Sequence, residues 1–204
     1  MMQIVTGSEG KAMFEGEFAS MTALHNSIPT HIPRPVCWGT FATGERHFQL
    51  YDFHQFLKGQ KASISSLARV VASLHSAPSS SSPTGKFAFD MTTYNGNLPQ
   101  DNRWTDTWEE FYSNGMRRML DLEAKARGES KELRELERDF FGKVVPRLLR
   151  PLEDRKKGRS VKPVLLHGDL WVGNASVEDT GTHEEGRCML FDSSAFYGHN
   201  ECES

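Results

Sequence analysis

Two short apolar runs in the last quarter of the chain each close on an aspartate: KPVLLHGD on Asp169 and CMLFD on Asp192. Runs of this length are too short for a core helix and read as buried strands. A sheet that holds both must bury the apolar residues while leaving both carboxylates at its end. If the two strands pair as neighbours, joined by the excursion WVGNASVEDTGTHEEGR, then Asp169, Asn174 and Asp192 converge at one end of the sheet.

Three hard oxygen ligands would then face one spot. Magnesium favours such donors, retains several waters, and is typically held by one or two carboxylates together with the phosphates of a nucleotide. The set suits phosphoryl transfer. In the protein-kinase template an Asp accepts the proton of the acceptor hydroxyl, an Asn a few residues on holds Mg²⁺, and a second Asp bridges the metal to the phosphates. Here H-x-D is followed by Asn174 five positions after Asp169. HGD alone is a weak signal. Two other readings stay open on the residues alone: a hairpin with solvated polar ends, and a metal hydrolase using His167, Asp169 and Asp192. The hydrolase lacks a further His/Asp cluster at ligand spacing.

Upstream, MMQIV reads as a strand from the first residue, and a turn over Thr6–Gly10 leads into a helix. Met13, Phe14, Phe18, Met21 and Leu24 form one apolar arc on that helix, with Glu17 inside it. A carboxylate on a core-facing stripe wants a cation, unless it sits at the edge and reaches water. IPRPVCWGTF and RHFQLYDFHQF read as two strands around a turn at Gly44. Ile64, Leu67, Val71 and Leu74 keep helical spacing up to His75, a capping or packing residue, before SAPSSSSPTG forms a loop or flexible linker. KFAFDMTTYNGNLPQDNRWTDTWEEFY reads as an irregular wall, with Trp104, Trp108 and Phe111 opening a helix. Lys131 to Leu149 carries Leu133, Leu136, Phe140, Val144 and Leu148 at helical spacing opposite a solvated charged face.

The 204 residues suffice for one moderate domain or two small lobes with a real core. A net charge of -3 without a basic stripe argues against nucleic acid as a partner. Cys37, Cys188 and Cys202 are odd in number and lack metal-ligand spacing, which fits a reducing compartment and a cytoplasmic protein. No apolar run approaches the ~20 residues that span a bilayer, and no secretory signal pattern is visible, so no membrane partner is expected.

HGDLWVGN followed by FDSSAFYGHNECE resembles the fructosamine-3-kinase and protein-ribulosamine-3-kinase family. The likeness continues through KAMFEGEFASMTAL, IPRPVCWGTF, LYDFHQF and SPTGKFAFDMTTYNGNLPQDNRWTDTWEEFY, and covers nearly the whole chain. The resemblance implies an α+β, protein-kinase-like fold similar to the aminoglycoside phosphotransferases. Residues 1–56 would form a partial amino-terminal lobe with its hinge near 51–56. Residues 57–204 would form a partial, mainly helical lobe carrying the catalytic loop 167–174 and Asp192. It also implies ATP and Mg²⁺ as cofactors and transfer of the γ-phosphate to the 3-hydroxyl of a ketosamine, on a glycated protein or a small molecule, after which the adduct decomposes and frees the amine. A small-molecule phosphotransferase for an aminoglycoside-like or choline-like substrate is the alternative.

By motif position, the resemblance makes Asp169 the base and gives Mg²⁺ to Asn174 and Asp192. His167 becomes structural and Trp171 lines the sugar pocket. Tyr197 and His199 shape the floor beside the metal or simply pack. Backbone groups of Asp52 and His54 meet the adenine. Glu17 takes the helix position whose carboxylate pairs with a phosphate-binding strand lysine, and the strand position of that lysine is Gln3. An amide can donate to a phosphate but brings no charge, so nucleotide binding should suffer. The family has further strands before this point and further helices after YGHNECES, so the fold is expected to be incomplete, with exposed apolar surface, and a non-catalytic remnant stands as the second functional reading.

Overall fold

The computed structural model describes residues 1–181 and 186–203. Strand β1 (Met2–Thr6) passes directly into helix α1 (Gly7–Ser27). The expected turn over Thr6–Gly10 is replaced by a single residue, Gly7, whose φ of +78° redirects the chain. Glycine adopts that left-handed conformation without a steric cost, so no longer connection is needed. The apolar arc of α1 is real: Phe14, Met21 and Leu24 are buried, with Gly16 and Ser20 beside them. Gly16 permits a close backbone approach, since a Cβ there would stand 2.4 Å from the carbonyl oxygen of Thr92. Ser20 Oγ donates to Gly16 O at 2.8 Å and accepts the N–H of Ala195 at 3.0 Å. The helix is thereby keyed to the segment that follows Asp192.

Strands β2 (Pro35–Thr40) and β3 (Arg46–Tyr51) complete an antiparallel sheet of order β1-β3-β2 in which Gln3 lies opposite Gln49. The alternation of β3 buries His47, Gln49 and Tyr51, so its inward face is polar. Helix α2 (Ile64–Ser76) starts where Ser63 Oγ accepts the N–H of Ser66 at 3.1 Å. Its buried face is rotated from the expected stripe: Val70 and Leu74 are buried, Val71 is half-buried, and Ile64 is 88% exposed. SAPSSSSPTG is a packed loop and not a flexible linker. Pro78–Ser80 form a 3-10 turn, Ser80 is buried, and the N–H of Ser82 bonds Pro163 O at 3.1 Å.

The amide- and aromatic-rich wall is irregular apart from a small hairpin, β4 (Tyr94–Asn95) with β5 (Leu98–Pro99). Helix α3 (Trp108–Arg127) begins later than Trp104, because Thr107 Oγ1 accepts the N–H of Glu110 at 3.2 Å and caps it there. Trp104 instead stacks on Tyr197. Lys131 to Leu149 is not one regular helix. It divides into α4 (Lys131–Asp139), a π-helical turn at Phe140–Val144, and α5 (Val145–Leu149). Pro146 has no N–H to continue the helical ladder, and the turn widens just before it. Leu136, Val144 and Leu148 of the expected stripe are exposed, while Val145 is buried. With Trp108, Tyr112 and Leu152, Val144 and Leu148 line an apolar groove of about 260 Å³.

Strands β6 (Val164–Leu166), β7 (Ala175–Glu178), β8 (Arg187–Leu190) and β9 (Phe196–Gly198) make two antiparallel pairs, β6 with β9 and β7 with β8. The two aspartate-tipped runs, KPVLL and CMLF, therefore do not pair with each other. ASVE, inside the excursion, is itself a strand and takes the place beside the second run, satisfying backbone groups that a bare loop would leave open. Residues 182–185 of the excursion lie outside the described residues.

A single apolar cluster joins Met21 and Leu24 of α1, Leu74 of α2, Trp108 and Phe111 of α3, and Leu165, Leu190 and Phe196 of the later strands. It spans residues on both sides of position 56. Full burial of a Leu such as Leu24 or Leu74 contributes about 1.5–3 kcal/mol. Among the described residues, no helix is long and apolar enough to cross a membrane.

Candidate active site

β6 delivers the chain to His167, which is fully buried. Its Nδ1 lies 3.4 Å from the N–H of Asp169, and its Nε2 lies 3.1 Å from Phe191 O. A backbone N–H can only donate, so Nδ1 accepts and the ring proton sits on Nε2, donated to the carbonyl. Burial holds the imidazole pKa below its usual value, which keeps the ring neutral in this role. Gly168 follows at φ +81°, where a Cβ would stand 2.1 Å from Ser194 O. Its N–H donates to Glu203 Oε1 at 2.7 Å, and the N–H of Ser194 bonds His167 O at 3.0 Å. The HGD segment is thus clamped against the segment after β8.

Asn174 ties the two aspartates together. Its Nδ2 is 3.0 Å from Asp169 Oδ2, 2.9 Å from Asp169 O and 3.2 Å from Asp192 O. All three contacts use the amide nitrogen, so the amide oxygen receives no protein hydrogen bond among the described residues. Asp192 follows β8 at φ +57°, a left-handed conformation that aspartate tolerates better than most residues. Burial raises its carboxyl pKa, against a hydrogen bond from Gln3 that lowers it.

Asp169, Asn174, Asp192, Glu17 and Trp171 line one pocket of about 280 Å³. The convergence expected from the motif holds even though the strand pairing behind it is different. Trp171 is 58% exposed, and its ring folds over Gly173, where a Cβ would come within 2.2 Å of it. The same pocket is lined by Met13, Ser193, and Tyr94 and Gly96 of the β4–β5 hairpin; the sequence offered Met13 only as a member of the apolar arc and the other three only within stretches that carry the resemblance, and singled out none of them for the site.

Glu17 meets an amide and not a lysine, in keeping with Gln3 at the strand position, although the amide that bonds it is that of Gln49. Gln49 Nε2 donates to Gln3 Oε1 at 2.6 Å, and Gln49 also bonds Glu17 while its Oε1 accepts from the Tyr51 hydroxyl at 2.8 Å. Gln3 in turn reaches Asp192. A relay of Glu17, Gln49, Gln3 and Asp192 therefore crosses the site without a positive charge. Burial pushes the Glu17 carboxyl up to about 7, the bond from Gln49 opposes this, and the negative charge of Asp192 adds to it. Gln49 went unnoticed in the sequence; the signal available was the polar alternation of His47, Gln49 and Tyr51.

Asp52, His54, Tyr197 and His199 sit outside this pocket. The N–H of Asp52 already bonds Arg34 O at 3.0 Å, and its carboxylate, held below the usual range by Arg34, pairs with that guanidinium. His54 Nδ1 lies 2.6 Å from Glu178 Oε1. Tyr197 packs on Phe89 and Trp104, and His199 on Trp108.

Residues 4–204 match the model of a family described as fructosamine kinase. A chloroplastic protein-ribulosamine 3-kinase of Oryza sativa subsp. indica is 34% identical over 198 residues, which is 97% of this chain and 52% of that protein. The ketosamine-3-kinase of Mus musculus is 30% identical over 223 residues, 99% of this chain and 67% of that protein. The chain spans about half the length of the plant relatives it matches. The crystal structure of a putative fructosamine-3-kinase from Haemophilus somnus 129PT superposes with a TM-score of 0.71 at 22% identity, covering 99% of this chain and 60% of that one, so the protein-kinase-like fold is shared. By this match over nearly its whole length, the chain belongs to the fructosamine kinase family.

Proposed function

We propose that the pocket phosphorylates the 3-hydroxyl of a ketosamine with ATP as donor, the phosphorylated adduct then breaking down to release the amine. The observation that carries this reading is the binding of Asp169, Asn174 and Asp192 into one unit by the Asn174 amide. Family membership and the printed names of the relatives support the substrate class.

The donor set fits magnesium. Asn174 offers an amide oxygen free of protein donors, and Asp192 a carboxylate, both hard oxygens. When bound, the metal supplies charge neutralisation at the phosphates. Glu17 completes the acidic wall of the pocket, and no lysine or arginine lines it among the described residues. On this reading the site would hold a metal but give the phosphates no side-chain cation, leaving Gln3 as an amide donor on the strand.

Asp169 holds the acceptor. Its Oδ2 is engaged by Asn174, which fixes the carboxylate plane and leaves Oδ1 to accept the proton of the sugar hydroxyl. As the sugar oxygen bonds to the γ-phosphorus, the bond from that phosphorus to the leaving β-phosphate oxygen breaks, and the hydroxyl proton passes to Asp169. The exposed ring of Trp171 provides an apolar face for the sugar beside it.

The test is phosphorylation of ribulosyl-lysine by the wild type and by Asp169→Asn. Loss of product in a variant that unfolds at the wild-type temperature supports the assignment, and undiminished turnover removes Asp169 as base. Gln3 favours a second reading, a kinase-like site that has lost its chemistry. Absence of product with the wild type, under saturating Mg-ATP, would establish it.

A further inference from the structure

Beyond the hairpin that walls the active-site pocket lies a second, wider space. Tyr94 lines both the 280 Å³ pocket and a polar cleft of about 710 Å³. The hairpin between them is held firmly to the catalytic segment: Ser194 Oγ donates to Asn95 Oδ1 at 2.6 Å, and Gln100 Nε2 donates to Ser194 O at 3.0 Å. The pocket that holds Asp169 and this cleft thus adjoin at Tyr94.

The far wall is one face of α3, where Asn114, Arg117, Arg118 and Asp121 recur at helical spacing. Arg103, on the near wall, is already neutralised by a two-pronged pair with Asp101 at 2.8 and 2.6 Å. Arg117 is different: its guanidinium rests 3.8 Å over the ring of Phe141, a contact that positions the charge without cancelling it. No carboxylate lies within ion-pair distance of Arg117 or Arg118 among the described residues, and Asp121 is the one other acid on the cleft wall. The charges are thus sorted in space. Carboxylates without a cation gather at the reaction centre, whereas the cleft beyond Tyr94 sets three guanidinium groups against two carboxylates, with Arg118 near enough to Asp101 to help hold its pKa down.

A free sugar adduct is too small to occupy both spaces, whereas an adduct on a protein lysine brings its flanking polypeptide with it. We propose that the cleft receives this flanking segment and selects acidic side chains near the modified amine through Arg117 and Arg118. The inference rests on the ketosamine reading of the adjoining pocket.

The probes are two fluorescein-labelled peptides carrying the same central ribulosyl-lysine, one flanked by glutamates and one by lysines. Fluorescence anisotropy is expected to show the glutamate peptide binding about tenfold tighter at low salt, with the preference shrinking as salt rises. Arg118→Glu should abolish or reverse the preference. Arg117→Lys, which keeps the charge while giving up the ring contact, should retain most of it and guards against a folding artefact. Equal affinities for the two peptides, or a preference untouched by Arg118→Glu, would overturn the proposal. Turnover of free ribulosyl-lysine, measured alongside, reports on the kinase reading separately, because binding preference does not require the chemical step.

Discussion

Glu203 grips the backbone of the HGD segment: its Oε1 accepts the N–H of Gly168 at 2.7 Å, and its Oε2 lies 3.0 Å from Nε2 of His75 at the end of α2. The carboxylate is almost wholly buried, with its side chain 4% exposed. Replacing Glu203 by Ala would leave a buried N–H and the His75 ring without their partner, at a cost of about 1–3 kcal/mol. Glu203→Gln keeps the acceptor for Gly168 and should lose clearly less. Thermal unfolding of the two variants checks the order, and equal losses would mean that the bond to Gly168 contributes nothing.

Gly168 itself tolerates no side chain. A Cβ would meet Ser194 O at 2.1 Å in a backbone conformation of φ +81°. Gly168→Ala combines a backbone clash with a left-handed alanine, so a destabilisation of at least about 2 kcal/mol is expected. Denaturant titration would measure it. An unchanged midpoint would show that the loop relaxes without resistance.

Stability should fall as pH rises through the titration of Glu17. Its carboxyl is raised by burial from 4.5 to about 7, so the folded state holds the proton more tightly than the unfolded chain. The contribution is fully present below about pH 4.5 and is lost as pH climbs through about 7, on the order of 3 kcal/mol in all. Glu17→Gln removes this particular slope. The measurement is the difference in unfolding free energy between variant and wild type at pH 5 and pH 8, and a difference that stays constant would sink the assignment.

A lysine in place of Gln3 would stand between Gln49 and Asp192 and bring the charge that the relay lacks. Gln3→Lys is expected to tighten Mg-ATP binding about fivefold or more, through a charge-assisted phosphate contact. Titration calorimetry reads this directly. Unaltered affinity would mean that the amide of Gln3 does not face the phosphates.

The convergence of Asp169, Asn174 and Asp192 in one pocket was legible because Asp169 and Asn174 keep a fixed local spacing and Asp192 closes a recognisable strand. Local spacing survives errors in long-range pairing, and the convergence was found although KPVLL and CMLF are not neighbours. Gln49 and Glu203 were not legible in the same way. Gln49 acts across a sheet register, opposite Gln3, and Glu203 reaches a backbone group 35 positions away. Glu203 leaves no periodic trace, and Gln49 leaves only the polar alternation of its strand. Helical periodicity misled where the helix was not regular: Leu136, Val144 and Leu148 are spaced like a core stripe yet are exposed, and past the π-helical turn it is Val145 that is buried. Ile64 shows the other failure, an apolar residue in the first turn of α2 with nothing packed over it.

The loop-free junction of β1 and α1 has a mechanical meaning. Gly10 in the first turn of the helix leaves room for Val5, whose Cγ2 would stand 2.4 Å from any added Cβ, so strand and helix are pressed together where they meet. Gln3 and Glu17 consequently ride on one stiff crank and keep their separation when it turns. Because Ser20 of the same helix accepts the N–H of Ala195, the segment that follows Asp192 is tied to that crank as well, and the relay from Glu17 to Asp192 is braced at both of its ends.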